Sequence, residues 1–176
     1  MNANDGEENK IHFGLARSLA RNLLKKVQIK EPPILLRAIF DCLDHKITIE
    51  GKDIGKDCGF SIGTSNIIYN SSHPRTRTRF TLAHELGHIL LGHNSSSRII
   101  SFESTNPEDI LANEFAAELL APLSMLKREE FFSSSLTELA HKYQVSKEMM
   151  MWRLKSTGLY MQLLNWRQIS KTFFVF

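Results

Sequence analysis

His84, Glu85 and His88 form a His-Glu-x-x-His pattern inside the largely apolar run Arg79-Phe80-Thr81-Leu82-Ala83-His84-Glu85-Leu86-Gly87-His88-Ile89-Leu90-Leu91. On a helix, side chains four apart project from one face, so the two imidazoles can share one divalent ion. Glu85 then lies about 100° round from His84, where it can reach a water on the ion rather than the ion itself. Zn²⁺ in that place would make the water acidic enough to attack an amide near neutral pH, with Glu85 as general base. Leu82, Leu86, Ile89 and Leu90 add a core-facing stripe, which distinguishes this helix from a surface helix carrying two solvated histidines.

Two histidines leave such a site incomplete, because catalytic zinc takes three protein ligands and a water. A third histidine in the extended pattern HExxHxxGxxH would require Gly at 91 and His at 94. Those positions hold Leu91 and Asn94, with Gly92 and His93 one place away. His93 is also half-way round the helix from His84 and reads as a loop or capping residue. The other source is a carboxylate on a second helix. The stretch 107–121 offers Glu108, Asp109, Glu114 and Glu118.

The elements that must position these groups follow from apolar periodicity. Residues 1–9 are polar and acidic and read as disordered. From 11 to 27, Phe13, Leu15, Ala16, Leu19, Ala20, Leu23 and Leu24 repeat with helical period, while Arg17, Arg21, Lys25 and Lys26 read as a solvated basic face. Pro32-Pro33 opens a second helix striped by Ile34, Leu35, Ala38, Ile39 and Leu43. Three short strands follow near 47–49, 58–62 and 66–70, punctuated by Gly51, Gly55, Gly59 and Gly63. Their turn-length links predict a small, mainly antiparallel sheet.

The histidine-bearing helix should start near 75–79 and stop at Gly92, a good C-cap. A polar loop at 94–97 and a strand near 99–102 come next. Asn106-Pro107-Glu108-Asp109 then has the cap, proline and acids of a helix start, and Pro122 stops that helix. A short helix is expected at 124–132. Residues 136–154 read as helix, tight turn, helix. Its second helix, Lys147-Glu148-Met149-Met150-Met151-Trp152-Arg153, is poor in base-reading side chains, so the methionines read as core or a protein-binding surface.

A hydrophobic fraction of 42%, a charged fraction of 23% and a net charge of +3 describe an ordinary globular chain. The charge is too mild to imply nucleic acid or an anionic membrane as partner. Cys42 and Cys58, lacking CxxC spacing, read as two reduced thiols. No secretory signal or membrane-spanning run is visible, which predicts a cytoplasmic location.

The first motif, followed by Ala112-Asn113-Glu114-Phe115-Ala116-Ala117-Glu118-Leu119-Leu120-Ala121-Pro122, resembles the ImmA/IrrE family of metallopeptidases across roughly residues 11–160. The resemblance implies a zincin-like α+β domain, mainly helical, with the metal site between the HExxH helix and a second helix. It implies His84 and His88 as ligands and Glu85 as base. The family's second motif usually begins Glu-x-x-Ala-Asn or Glu-x-x-Ala-Asp, and that first acid is its third ligand. The matching residue here is Asp109, one methylene shorter, which requires the helices to approach more closely or one to rotate. Glu108 and Glu114 remain alternatives. Asn113, one turn on, could orient a ligand. Arg75, Arg77 and Arg79 read as solvated, except that Arg79 matches the family's motif and could tie the helix to neighbouring backbone.

The expected organisation is a disordered stretch at 1–9, a metallopeptidase domain at 10–132 and a helical extension at 133–176 packed on it. The expected cofactor is one Zn²⁺ per chain, with Mn²⁺ and Fe²⁺ as other candidates. Strand 66–70 could pair its backbone with extended substrate. The resemblance implies limited proteolysis of a helix-turn-helix repressor from a phage, mobile element or stress response. The alternatives are a non-catalytic interaction module or anti-repressor, and a DNA-binding regulator using 136–154. Direct nucleic-acid contact and a membrane partner are not expected.

Overall fold

Helical spacing of Ala16, Ala20 and Leu24 shapes the first element, α1 (Asp5–Lys26), which buries those three positions. The computed structural model describes residues 5–93, 98–129, 135–162 and 164, with side chains from 13 onward. Helix α1 therefore starts ahead of the periodic run, and residues 1–4 lie outside the described residues. Helix α2 (Leu36–Asp41) is shorter than its apolar stripe, and Leu35 is its N-cap and exposed rather than packed.

Strands β1 (Thr48–Lys52), β2 (Gly59–Ile62) and β3 (Asn66–Asn70) form one sheet in the order β1-β3-β2. The β2–β3 pair is an antiparallel hairpin, but β1 runs parallel to β3. The sheet is thus mixed rather than mainly antiparallel. The cause is the link 53–58, which passes the end of β3 and delivers β2 to its far side. The buried Asn70 side chain holds that crossing by donating to the Gly55 and Asp57 carbonyls at 2.9 Å each. As the middle strand, β3 is paired on both sides and has no edge for a substrate backbone; the edges belong to β1 and β2.

Helix α3 (Arg75–Leu91) lies against the sheet and ends at Gly92, which adopts φ 72° as the left-handed cap. Arg79 fastens its first half, donating from Nη2 to the Ile34 carbonyl at 2.9 Å and from Nε to that of Gln144 at 3.1 Å. The segment 98–106 contains bends and turns and no strand at 99–102. Its Phe102 is anchored by packing between Phe80 and Trp152, with centroids 5.0 and 5.1 Å away. An aromatic anchor here replaces the ladder that a strand would have needed. Residues 94–97, the expected polar loop, lie outside the described residues.

Helix α4 (Pro107–Leu120) starts as the sequence predicts, with the Asn106 side chain accepting from the Glu108 N–H at 2.9 Å. It is packed between α1 and α3 and buried along most of its length. Helix α5 (Leu123–Leu126) covers only the start of the expected helix at 124–132, whose end falls outside the described residues. Helices α6 (Leu136–Tyr143) and α7 (Lys147–Ser156) are each opened by a serine cap, Ser135 and Ser146. Their Leu139, Ala140, Tyr143, Met149, Met150 and Leu154 join the same apolar cluster as α1, α3 and α4. The expected domain boundary near 132 and the tail beyond 164 lie outside the described residues.

The basic face of α1 is not all solvated. Arg17 Nε pairs with Glu114 at 2.8 Å, and Arg21 Nε pairs with Glu118 at 2.7 Å. From the other side, fully buried Arg153 of α7 pairs with Glu118, approaches Glu114 at 3.9 Å and donates to the Ala121 carbonyl. Three guanidiniums thus clasp two acids on one face of α4, which fixes its rotation. Both cysteines are free thiols. Among the described residues, no helix is long and apolar enough to cross a membrane.

Candidate metal centre

One face of α3 and the opposing face of α4 bring His84, His88 and Asp109 together, all buried. The Nε2 atoms of His84 and His88 lie 3.0 Å apart. Asp109 Oδ1 lies 3.3 Å from His88 Nε2 and 4.0 Å from His84 Nε2. A tetrahedral ion with bonds of about 2.0–2.1 Å holds its ligands about 3.3–3.4 Å apart. The three observed edges bracket that spacing. Two imidazole nitrogens and one carboxylate oxygen are the donor set of a catalytic zinc site, with a fourth position left for water. The residues present fit the ion.

The protonation of the rings fits too. Burial, with the neighbouring His88 adding to it, pushes His84 down to about 3. Burial and then His93 push His88 down to about 4. Both rings are therefore neutral near pH 7 and have a lone pair to give. Asn113 chooses which nitrogen of His84 gives it. Its amide donates through Nδ2 to the Ser101 carbonyl at 2.9 Å, which turns Oδ1 toward His84 Nδ1, also at 2.9 Å. His84 then carries its proton on Nδ1 and leaves Nε2 bare toward the site. Asp109 is steadied in the same manner, Oδ2 accepting from the Ser104 hydroxyl at 3.1 Å while Oδ1 faces the imidazoles.

The other acids stand elsewhere. Glu114 points to the opposite side of α4, engaged by Arg17 and Arg153. Glu108 brings its carboxylate within 4.8 Å of ring nitrogens of His88 and His93, in a group of its own. The shorter Asp109 reaches because α3 and α4 lie close together at Gly87, which has no side chain to hold them apart. Glu85 follows His84 on α3 and is completely buried. Tyr143, a donor that chemistry alone makes eligible for an oxyanion, gives its hydroxyl to Glu129 at 2.8 Å instead.

Ser101 and Ser104 escape sequence reasoning, since serines in an irregular loop carry no periodic signal. His93 lies past the helix end as a loop and capping residue, its N–H on the His88 carbonyl, and its ring does more than cap. Its Nδ1 lies 2.9 Å from Nδ1 of His88. Spacing along a straight helix does not reveal that ring contact, because the left-handed turn at Gly92 brings the chain back so that the His93 N–H bonds the His88 carbonyl at 3.0 Å.

Residues 41–155 match the family model described as the IrrE N-terminal-like domain, a peptidase family. That span is well over half of the chain, and the chain belongs to this family. Among curated proteins none matches it in sequence. Family membership makes the chain a metallopeptidase by class, acting on protein, with a metal ion as cofactor.

Proposed function

We propose that this chain is a zinc-dependent endopeptidase of the cytoplasm. In this reading it cuts a helix-turn-helix transcriptional repressor at a limited number of bonds. The observation that carries the peptidase reading is the convergence of His84 Nε2, His88 Nε2 and Asp109 Oδ1 beside a buried Glu85. The substrate class rests on the ImmA/IrrE resemblance, and so does the regulatory setting of a phage, mobile element or stress response.

His84, His88 and Asp109 would hold the ion. Bound Zn²⁺ supplies Lewis acidity that activates water and polarises the scissile carbonyl. Glu85 accepts the proton of the attacking water and passes it to the departing amine, so no net charge is left on the site. Asn113 and Ser104 keep two of the three ligands aimed during this exchange. The Arg17, Arg21 and Arg153 clasp holds α4, and with it Asp109, in one rotation between α1 and α7.

The test is Glu85→Gln, with zinc loaded, incubated with the repressor encoded beside this gene and resolved by intact mass. The variant should bind zinc like the parent and lose cleavage by about 10²–10⁴-fold, the usual contribution of a positioned base. Undiminished cleavage would remove Glu85 from its role. A metal-replete parent that leaves every neighbouring repressor intact would favour the non-catalytic module.

A further inference from the structure

The triad has an outer partner for two of its members, Asn113 for His84 and Ser104 for Asp109. We infer that His93 is the third such partner, a positioning residue that accepts the Nδ1 proton of His88 and so frees His88 Nε2 for the metal. This inference rests on the metal centre proposed above.

Two imidazole Nδ1 atoms 2.9 Å apart must share one proton between them. If His93 donates, His88 Nδ1 is the acceptor and the neutral His88 ring carries its proton on Nε2, facing Asp109 and His84. No ion can then bind there. If His88 donates, His93 Nδ1 is the acceptor and His88 Nε2 is bare. A metal at the triad therefore selects the second arrangement, and a His93 already held at hydrogen-bond distance lowers the cost of reaching it. The holding comes from the backbone. Gly92 in the left-handed conformation and the His93 N–H on the His88 carbonyl at 3.0 Å bring the two rings edge to face, with centroids 4.9 Å apart.

His88, His93 and Glu108 also have the donor types to hold a cation of their own. The hydrogen bond is the better reading. His88 Nε2 already faces the triad, so ligating through Nδ1 as well would strip the imidazole of both protons.

The experiment measures zinc affinity by competition with a chromophoric chelator, and the Co²⁺ visible spectrum, for the parent, His93→Leu and His93→Asn. Leucine fills much of the space without an acceptor. Asparagine can offer Oδ1 close to where Nδ1 stood. Loss of an outer partner of a metal-bound histidine typically costs about 10–100-fold in affinity. His93→Leu should lose that much and show an altered Co²⁺ spectrum, with one zinc per chain throughout, and His93→Asn should recover most of it. Parental affinity in His93→Leu, or no recovery in His93→Asn when both melt like the parent, would overturn the inference. So would two zinc ions per chain in the parent falling to one in His93→Leu, which would make His93 a ligand. A parent that binds no zinc would instead sink the metal centre itself, and this inference with it.

Discussion

Gly87 of α3 meets Ala112 of α4 backbone to backbone. A Cβ at position 87 would lie 3.2 Å from the Ala112 Cα, 3.3 Å from its carbonyl oxygen and 3.0 Å from the Phe115 ring. The two helices therefore approach as closely as side-chain-free contact permits, one turn from Asp109. A candidate third ligand with a short side chain and a helix pair with a bare contact point are two parts of one solution. Gly87→Val should separate the helices. Overpacking of this kind costs about 1–3 kcal/mol, and zinc affinity should fall with it, because Asp109 would no longer reach. Urea unfolding and zinc competition on the same variant check both effects; parental zinc affinity would show that the approach does not set the ligand's reach.

The choice among acids on α4 is testable by a pair of neutral variants. Asp109→Asn should lower zinc affinity by at least about tenfold while leaving the fold in place, because it removes a charged oxygen donor and keeps the shape. Glu114→Gln should leave zinc affinity within about twofold of the parent, since its carboxylate serves Arg17 and Arg153 rather than the triad. The reverse pattern would assign the ligand to Glu114.

Arg153 is fully buried against Glu118 and the Ala121 carbonyl. Removing one partner of a buried pair leaves an uncompensated charge, at a cost of about 3–5 kcal/mol. Arg153→Ala should destabilise the protein by about that amount, offset only to the extent that Arg21 still neutralises Glu118. Arg153→Met combined with Glu118→Leu should cost much less than the single change. Denaturant midpoints of the parent and both variants decide this, and equal losses would mean the charges are not coupled.

Metal-free stability should depend on pH through the triad. His84 and His88 are held down to about 3 and about 4 by burial, against about 6.5 in an unfolded chain. Between those values the unfolded chain binds protons that the folded protein refuses. Stability is therefore full above about pH 6.5 and is lost as the pH falls toward the folded values. At about 1.4 kcal/mol per unit, the two rings together should cost about 2–4 kcal/mol between pH 7 and 5. Urea titrations in a chelator at those two pH values measure it, and a flat profile would mean the rings titrate freely in the folded protein. At pH 7, zinc at about 100 times its dissociation constant should add about 2.7 kcal/mol.

Local sequence patterns made much of this molecule legible. Ala16, Ala20 and Leu24 mark α1, Pro107 with Asn106 opens α4, and Gly92 closes α3, because each acts within a turn or two of itself. The same holds for His84 and His88, whose common face follows from a spacing of four. The zincin-like fold class came from the family resemblance that the two motifs carry. Other features were illegible because they are set between segments far apart in the chain. The parallel pairing of β1 with β3 depends on how the link 53–58 is tied to Asn70. The pairing of Arg17 and Arg21 depends on which face of α4 turns toward α1.

The sequence by itself determined that His84 and His88 share one face of a helix, with Glu85 next to them in the chain, since helical geometry converts residue spacing directly into direction. The resemblance already pointed to Asp109 and Asn113, but only the tertiary structure turned Asp109 rather than Glu114 toward the imidazoles, brought Ser104 onto Asp109 and Asn113 onto His84, and folded His93 back onto His88. Those relations depend on the distance and rotation between α3, α4 and the loop joining them. Packing at Gly87, the arginine clasp on α4 and the left-handed turn at Gly92 set that distance and rotation, and no residue spacing along one helix encodes them.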